Sequence, residues 1–204
     1  MFYDILDTKR KNILPLLAVF KPDFYLAGGT GLALQIGHRD SIDFDFFTRK
    51  TIDTVDLYER LVLIFAGHRI DKIQEEKNTL SVFIDGNIKL SFFAYRYPLL
   101  EASIEEPFLS IASIVDIACM KLSAIVSRST NKDYIDLFYI LKKMSLEDVL
   151  KHVSRKMPDL DTNLVLKSLV YFADVVEEPI HFKGTFEVTL KRVEQFLVET
   201  VRKM

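Results

Sequence analysis

The stretch Gly28-Gly29-Thr30-Gly31-Leu32-Ala33-Leu34-Gln35-Ile36-Gly37-His38-Arg39-Asp40-Ser41-Ile42-Asp43-Phe44-Asp45-Phe46-Phe47 decides the fold. A glycine-rich turn runs into a short apolar helix over residues 30–36, which Gly37 is placed to end. A strand over residues 41–47 follows, alternating aromatic with acid. Side-chain direction on a strand repeats every two residues, so Ile42, Phe44 and Phe46 share one face and Asp43 and Asp45 the other. Aspartate is disfavoured in strands, and two carboxylates on one face repel unless a cation lies between them. The pair alone reads equally as metal ligands or as the solvated face of an edge strand. The turn bears on that choice. Glycines let a backbone come close to a ligand, and the amides that open a helix are free to bind an anion. Gly28 and Gly29 supply the close backbone; Thr30 either caps the helix or gives its hydroxyl to a phosphate. Turn and strand together suggest a divalent metal beside a phosphate, against the plainer alternative of a tight turn and helix cap. A P-loop is excluded by the missing Gly-Lys-Ser/Thr ending, and a dinucleotide fingerprint by the missing third glycine in residues 29–34.

Outward from this segment, a helix is expected over residues 3–17 and a short strand over 24–27 that enters the turn. Beyond it, residues 57–65 read as a helix. Residues 80–84 and 88–94 read as strands joined through Asp85-Gly86-Asn87, a strong hairpin signal. From Ser110 onward helical periodicity takes over, with helices expected over 114–126, 134–143, 146–155, 163–176 and 186–203, punctuated by Pro158, Pro179 and Gly184. The expected architecture is α+β: a mixed-sheet lobe over residues 1–105, followed by a helical lobe over 106–204.

The second informative segment is Lys121-Leu122-Ser123-Ala124-Ile125-Val126-Ser127-Arg128-Ser129-Thr130-Asn131-Lys132-Asp133-Tyr134-Ile135-Asp136. Thr130 or Asn131 is placed to cap a helix, with Asp133 favourable in its first turn. Asp133 and Asp136, three apart, share a helical face. Lys121 lies in a largely apolar helix, where a lysine is unusual unless its amine reaches solvent or an anion. The alternative is a corner between helices with ordinary surface ion pairs, which suffices for Arg128 or Lys132 taken singly.

Gly-Gly-Thr, a short helix and Asp-x-Asp on the next strand resemble the polymerase-β-like nucleotidyltransferase superfamily. The fuller string over residues 28–47, with the Lys-x6-Arg-x3-Lys-Asp-x2-Asp pattern starting at Lys121, is similar to the AbiEii/AbiGii-type nucleotidyltransferase toxins of bacterial toxin–antitoxin and phage-defence systems. The resemblance implies a nucleotidyltransferase that moves an NMP from an NTP to an RNA hydroxyl, such as a tRNA 3′ end, or to a protein hydroxyl, with a cognate antitoxin protein as partner. It implies Gly28, Gly29 and Thr30 at the triphosphate, and Asp43 and Asp45 as catalytic ligands of Mg²⁺ or Mn²⁺. Lys121 would be a phosphate- or base-facing cation and Asp136 a further acid of the active site, with Asp133 as a lesser candidate. The two motifs span more than half the chain; residues after about 145 match no motif. One departure stands out. Many polymerase-β-like transferases carry a third carboxylate on a later strand, and the corresponding strand here reads Ile88-Lys89-Leu90-Ser91-Phe92-Phe93-Ala94. Ser91 replaces the acid, and Lys89 has the wrong sign for a metal ligand. Asp136 is then one alternative for the base, and a nucleotide-binding or protein-interaction module with reduced catalysis is the alternative function.

With 204 residues the chain can bury a sizeable core. Its 27 basic and 29 acidic side chains give a net charge of −2, which excludes a generally basic nucleic-acid binder, so any RNA contact is local. Lys142, Lys143, Lys151, Arg155 and Lys156 read as a solvated helix face, with contact to RNA phosphates as the lesser alternative. His38, His68, His152 and His181 lack zinc-ligand spacing, and Arg39 with His38 reads as a loop cation pair, with substrate contact as the alternative. Phe92, Phe93, Tyr95 and Tyr97 read first as strand core and pocket lining, with a base-stacking surface as the weaker alternative. The single Cys119 cannot pair internally and, within an apolar run, reads as a buried inert thiol in a reducing cytoplasm. No signal peptide or membrane-spanning stretch is apparent, so a soluble cytoplasmic protein is expected.

Overall fold

The computed structural model describes residues 1–204. Helix α1 (Thr8–Leu17) follows a single 3-10 turn (Tyr3–Ile5), separated from it by Asp7, whose side chain caps α1 by accepting from the Arg10 amide. The single helix expected over residues 3–17 is thus broken at a capping aspartate. Strand β1 (Tyr25–Leu26) leads into α2 (Gly28–Ile36), which ends at Gly37 with φ +75°, a left-handed conformation that glycine adopts without strain. Strand β2 (Phe44–Thr48) and α3 (Thr54–Ile64) come next. Strands β3 (Ile70–Glu76), β4 (Thr79–Ile84) and β5 (Ile88–Ala94) form a meander, with β4 and β5 joined at the expected turn.

The two short strands β6 (Ile104–Glu105) and β7 (Ser110–Ile111) return to the sheet, β7 pairing in parallel with β1. The seven strands lie in the order β3-β4-β5-β2-β1-β7-β6. The sheet therefore extends to residue 111, and a division at 105/106 would fall between two of its paired strands. The helices α4 (Ile114–Arg128), α5 (Asn131–Ile140), α6 (Leu146–Lys156), α7 (Thr162–Leu169) and α8 (Leu190–Arg202) complete the chain. None is long and apolar enough to cross a membrane.

Alternation on β2 sends Phe44 and Phe46 into one core, with Leu90 and Phe92 of β5 and Leu14, Leu17, Leu57 and Leu61 of α1 and α3. Phe46 stacks on Phe92 with centroids 5.2 Å apart. Ile42, expected on this face, is 55% exposed, because regular strand begins only at Phe44. A second core joins α4–α8, and α2 reaches both: Ala33 and Leu34 enter the first, Leu32 and Ile36 the second. Cys119 is buried in this second core. Lys156 departs from the solvated face expected for it. It is fully buried, and its ammonium donates to Asp116 at 2.6 Å and to the Pro98 carbonyl at 2.5 Å. The other face of the central strands carries Asp43, Asp45, Phe47, Lys89 and Phe93 and looks onto α4 across a cavity.

Candidate active site

The cavity has a volume of about 650 Å³, within the range of small-molecule sites. Its floor is the acidic face of β2. Asp45 pairs with Ser91 of β5 and Phe47 with Phe93, so these side chains share that face. One wall is the start of α2. Ala27, extended, precedes the helix without a side-chain cap, and the Gly31 amide bonds to the Ala27 carbonyl. The helix geometry leaves the amides of Gly28, Gly29 and Thr30 without intrahelical acceptors. Gly28 has φ +64°, and a Cβ there would stand 3.0 Å from Asp45 Oδ2, so the bare backbone lies directly against the carboxylate. Thr30 does not cap the helix. Its hydroxyl donates to the Asp43 carbonyl and accepts from Ser41 Oγ at 2.7 Å, which locks the approach of β2 to the turn. The backbone of the turn, rather than the threonine hydroxyl, is what stands free for an anion.

The opposite wall is a stripe of α4 at helical spacing: Ile117, Met120, Lys121, Ala124, Ser127 and Arg128. Phe47, Phe93 and Tyr95 form an aromatic end, with Phe47 stacked on Phe93 at 5.3 Å and edge-on to Tyr95 at 5.7 Å. Of Phe92, Phe93, Tyr95 and Tyr97, Phe93 and Tyr95 line the cavity. Phe92 lies in the core, and Tyr97 bonds to Asp159. Residues after 145, which match no motif, also contribute. The segment following α7 crosses back so that Glu178, Pro179 and His181 line the rim, held by the Asp40 amide on the His181 carbonyl and the Asn131 amide on the Val176 carbonyl.

The four acids of the two sequence motifs are of two kinds. Asp136 is fully buried and does not line the cavity. Arg39 reaches it through Nε at 2.7 Å and a terminal nitrogen at 2.8 Å, His38 Nε2 at 2.8 Å and Lys121 Nζ at 2.5 Å. Asp133 is buried but lines the cavity; it takes Lys121 Nζ at 2.8 Å, two bonds from Arg128 and the Thr130 hydroxyl. Burial raises both carboxyls, yet the facing cations outweigh it. Asp133 is held at about 2, chiefly by Lys121 and Arg128, and Asp136 well below its usual range, chiefly by Arg39 and Lys121. The same acids keep buried Lys121 protonated against its desolvation. An acid so fully bonded and shut from the cavity is no base for an acceptor hydroxyl. It holds Lys121 and Arg39 in place instead. His38 and Arg39, expected as a loop pair, belong to this network, and the Arg39 guanidinium packs against Gly29, where a Cβ would meet it at 2.6 Å.

Asp43 and Asp45 are the opposite case. Both line the cavity, and no hydrogen bond or ion pair of the protein satisfies either carboxylate. Burial first, and then the neighbouring Asp43 charge, push the Asp45 carboxyl up, with Lys89, Lys121 and Arg128 offsetting only part. Two adjacent, unpartnered carboxylates beside a free helix N-terminus suit a hard divalent cation. Mg²⁺ is commonly held by one or two carboxylates with substrate phosphates completing its shell. No group of three or more His, Cys, Asp or Glu side chains is placed to hold a metal ion.

The fold is shared with solved structures described as nucleotidyltransferases. The structure is similar to MenT4, the nucleotidyltransferase toxin Rv2826c from Mycobacterium tuberculosis H37Rv, with a TM-score of 0.62 at 15% identity over 100% of this chain and 85% of that one. It is also similar to a Helicobacter pylori protein provisionally assigned as a nucleotidyltransferase, with a TM-score of 0.57 at 20% identity over 96% and 91% of the two chains. At the sequence level it is 40% identical over 186 residues to the uncharacterized protein aq_aa25 of Aquifex aeolicus (strain VF5), covering 88% of this chain and 87% of that one. The family described as nucleotidyl transferase AbiEii toxin, type IV TA system, matches residues 16–199. The chain belongs to the AbiEii nucleotidyl transferase toxin family.

Proposed function

We propose that this protein transfers an NMP unit from an NTP to an acceptor hydroxyl of RNA or protein, with Mg²⁺ or Mn²⁺, as the toxin partner of a cognate antitoxin. The observation that carries this reading is the pair of unpartnered carboxylates, Asp43 and Asp45, facing the free amides of the Gly28-Gly29-Thr30 turn in one cavity. Asp43 and Asp45 would hold the metal, which when bound neutralises phosphate charge and favours displacement at the α-phosphorus. The turn amides receive the phosphates. Lys121 and Arg128, set in place by Asp136 and Asp133, put positive charge on the wall across from the turn. Phe47, Phe93 and Tyr95 offer π faces to the nucleotide base. The acceptor oxygen bonds to the α-phosphorus as the bond to the bridging oxygen breaks. Pyrophosphate leaves with that electron pair, and the hydroxyl proton passes to water in the open cleft.

Ser91 in register with Asp45 favours a second reading, an NTP-binding module without turnover. Incubation with the four α-labelled NTPs, Mg²⁺ and separate RNA and protein fractions separates the two. Transfer by wild type that Asp43→Ala abolishes is the expected result. Calorimetric NTP–Mg²⁺ binding with no transfer to either fraction supports the module instead.

A further inference from the structure

The β5 edge of the site contains two residues that the reading above leaves without a task. β2 and β5 run parallel in register, Phe44 beside Leu90, Asp45 beside Ser91 and Phe47 beside Phe93. The residues preceding the first of these pairs are Asp43 and Lys89, and both line the cavity. On β5 the cavity is thus lined by a cation, Lys89, while the residue paired with Asp45 is a neutral hydroxyl, Ser91, buried beneath the lining. The Lys89 ammonium makes no ion pair or hydrogen bond in the protein, although Asp45 stands on the neighbouring strand and Asp43 just before it. Ser91 is 1% exposed, and its Oγ has no hydrogen-bond partner. Buried hydroxyls left unpaired are rare enough to require an explanation.

Strand order shows what this edge faces. β5 lies on one side of β2 and β1 on the other, and the glycine turn follows directly from β1. Phosphates seated on the turn thus occupy one flank of the acid pair. In an in-line displacement the attacking oxygen approaches opposite the leaving pyrophosphate. The β5 flank, with Lys89 and Ser91, is then the acceptor side.

A second divalent ion about 3.5–4 Å from the first would need further anionic ligands on this flank. The chain supplies an ammonium and a neutral hydroxyl instead. We propose that Lys89 is a catalytic residue on the acceptor side, its ammonium standing in place of a second metal ion, so that the site works with one divalent cation. The ammonium meets the charge that develops on the attacking oxygen and on the α-phosphoryl group. Ser91, buried beneath this flank and outside the cavity lining, puts a short neutral side chain where a carboxylate would offer a second metal ion a further ligand.

The inference rests on the nucleotidyl-transfer reading, and the tests separate the two. Mn²⁺ is titrated into wild type with a non-hydrolysable α,β-methylene NTP and counted by electron paramagnetic resonance. One ion per chain is expected, and two overturn the proposal whether or not turnover is ever seen. Lys89→Met is expected to lose about 10²–10³-fold in transfer rate, the scale of removing one preorganised charge-stabilising donor. Its NTP dissociation constant should stay within about twofold of wild type at the same thermal midpoint. A rate equal to wild type, or a loss seen wholly in NTP affinity, refutes the acceptor-side placement. The double variant Lys89→Met/Ser91→Asp should bind a second Mn²⁺, and a count that stays at one contradicts the claim that these two side chains exclude it. Absence of transfer by wild type itself counts against the proposed function, while the Mn²⁺ count still decides the number of cations.

Discussion

Replacing Asp136 with alanine tests the division of the four acids into two kinds. In the folded protein Asp136 is fully buried, takes hydrogen bonds from Arg39 and His38 at 2.7–2.8 Å and forms an ion pair with Lys121 at 2.5 Å. Arg39 and Lys121 have side chains only 5% exposed. Without Asp136, Arg39 loses its carboxylate and Lys121 keeps only Asp133, so at least one buried cation is left uncompensated. Removing one member of a buried pair costs about 3–5 kcal/mol. For a chain of this size each kcal/mol lowers the melting temperature by about 2–4 °C, so Asp136→Ala should melt about 6–20 °C below wild type. Asp43→Ala gives the contrast. Asp43 is partly exposed and has no protein partner, so its loss should change stability by no more than about 0.5 kcal/mol. Both variants should lose transfer, one through a collapsed wall and the other through a missing metal ligand. Thermal and urea unfolding followed by circular dichroism, with metal excluded, read the difference. Asp136→Ala melting with wild type, or Asp43→Ala falling as far as Asp136→Ala, would refute the argument.

Asp133 has its folded pKa depressed to about 2 from the ordinary 3.8, so its contribution is fully present above about pH 4 and disappears as pH falls toward 2. This contribution is about 2–3 kcal/mol, and in Asp133→Asn the urea midpoint should lose that part of its dependence on pH between 4 and 2; parallel profiles would count against the buried pairs. Asp45 has the opposite sign: its folded pKa is raised, so its contribution favours folding at low pH and is lost as pH rises through that raised value. Asp45→Asn should therefore melt above wild type at pH 7 in EDTA while losing metal binding, and a lower midpoint would contradict the account. Gly28→Ala must accept φ +64° and place a Cβ 3.0 Å from Asp45 Oδ2. Its NTP–Mg²⁺ affinity, measured by calorimetry, should fall at least about tenfold with a stability cost of about 1 kcal/mol, and unchanged affinity would remove the turn from the site.

The most legible parts of the sequence were those where chemistry and local geometry coincide. Glycine at positive φ, the Asp45 strand and the 85–87 turn each follow from residues adjacent in the chain. β3 is not legible in the sequence because Ile70–Glu76 is an exposed sheet edge with no apolar alternation. The helix expected over 163–176 stops at Leu169. Phe172 and Val175 continue an apolar rhythm, but they pack on the helical core from an irregular segment. The same segment brings Glu178 and His181 to the cavity, a long-range closure that no local motif encodes. Asp133 and Asp136 show the limit most clearly. Spacing placed them on one face of a helix, but only the packing of Arg39, Lys121 and Arg128 decides which lines the cavity and which lies beneath it. Lys89 carried the wrong charge for a metal ligand in the sequence, and the register of β5 gives that charge a place on the cavity wall.

The central claim is that Asp43 and Asp45, with the glycine turn, act on the α-phosphate of an NTP. One NTP labelled in parallel at the α- and the γ-phosphate, incubated with protein, Mg²⁺ and the acceptor fraction, tests it most directly. The account predicts α-label in the acceptor, γ-label in pyrophosphate, and neither with Asp43→Ala. Gamma-label in the acceptor, or α-transfer that survives Asp43→Ala, would contradict it.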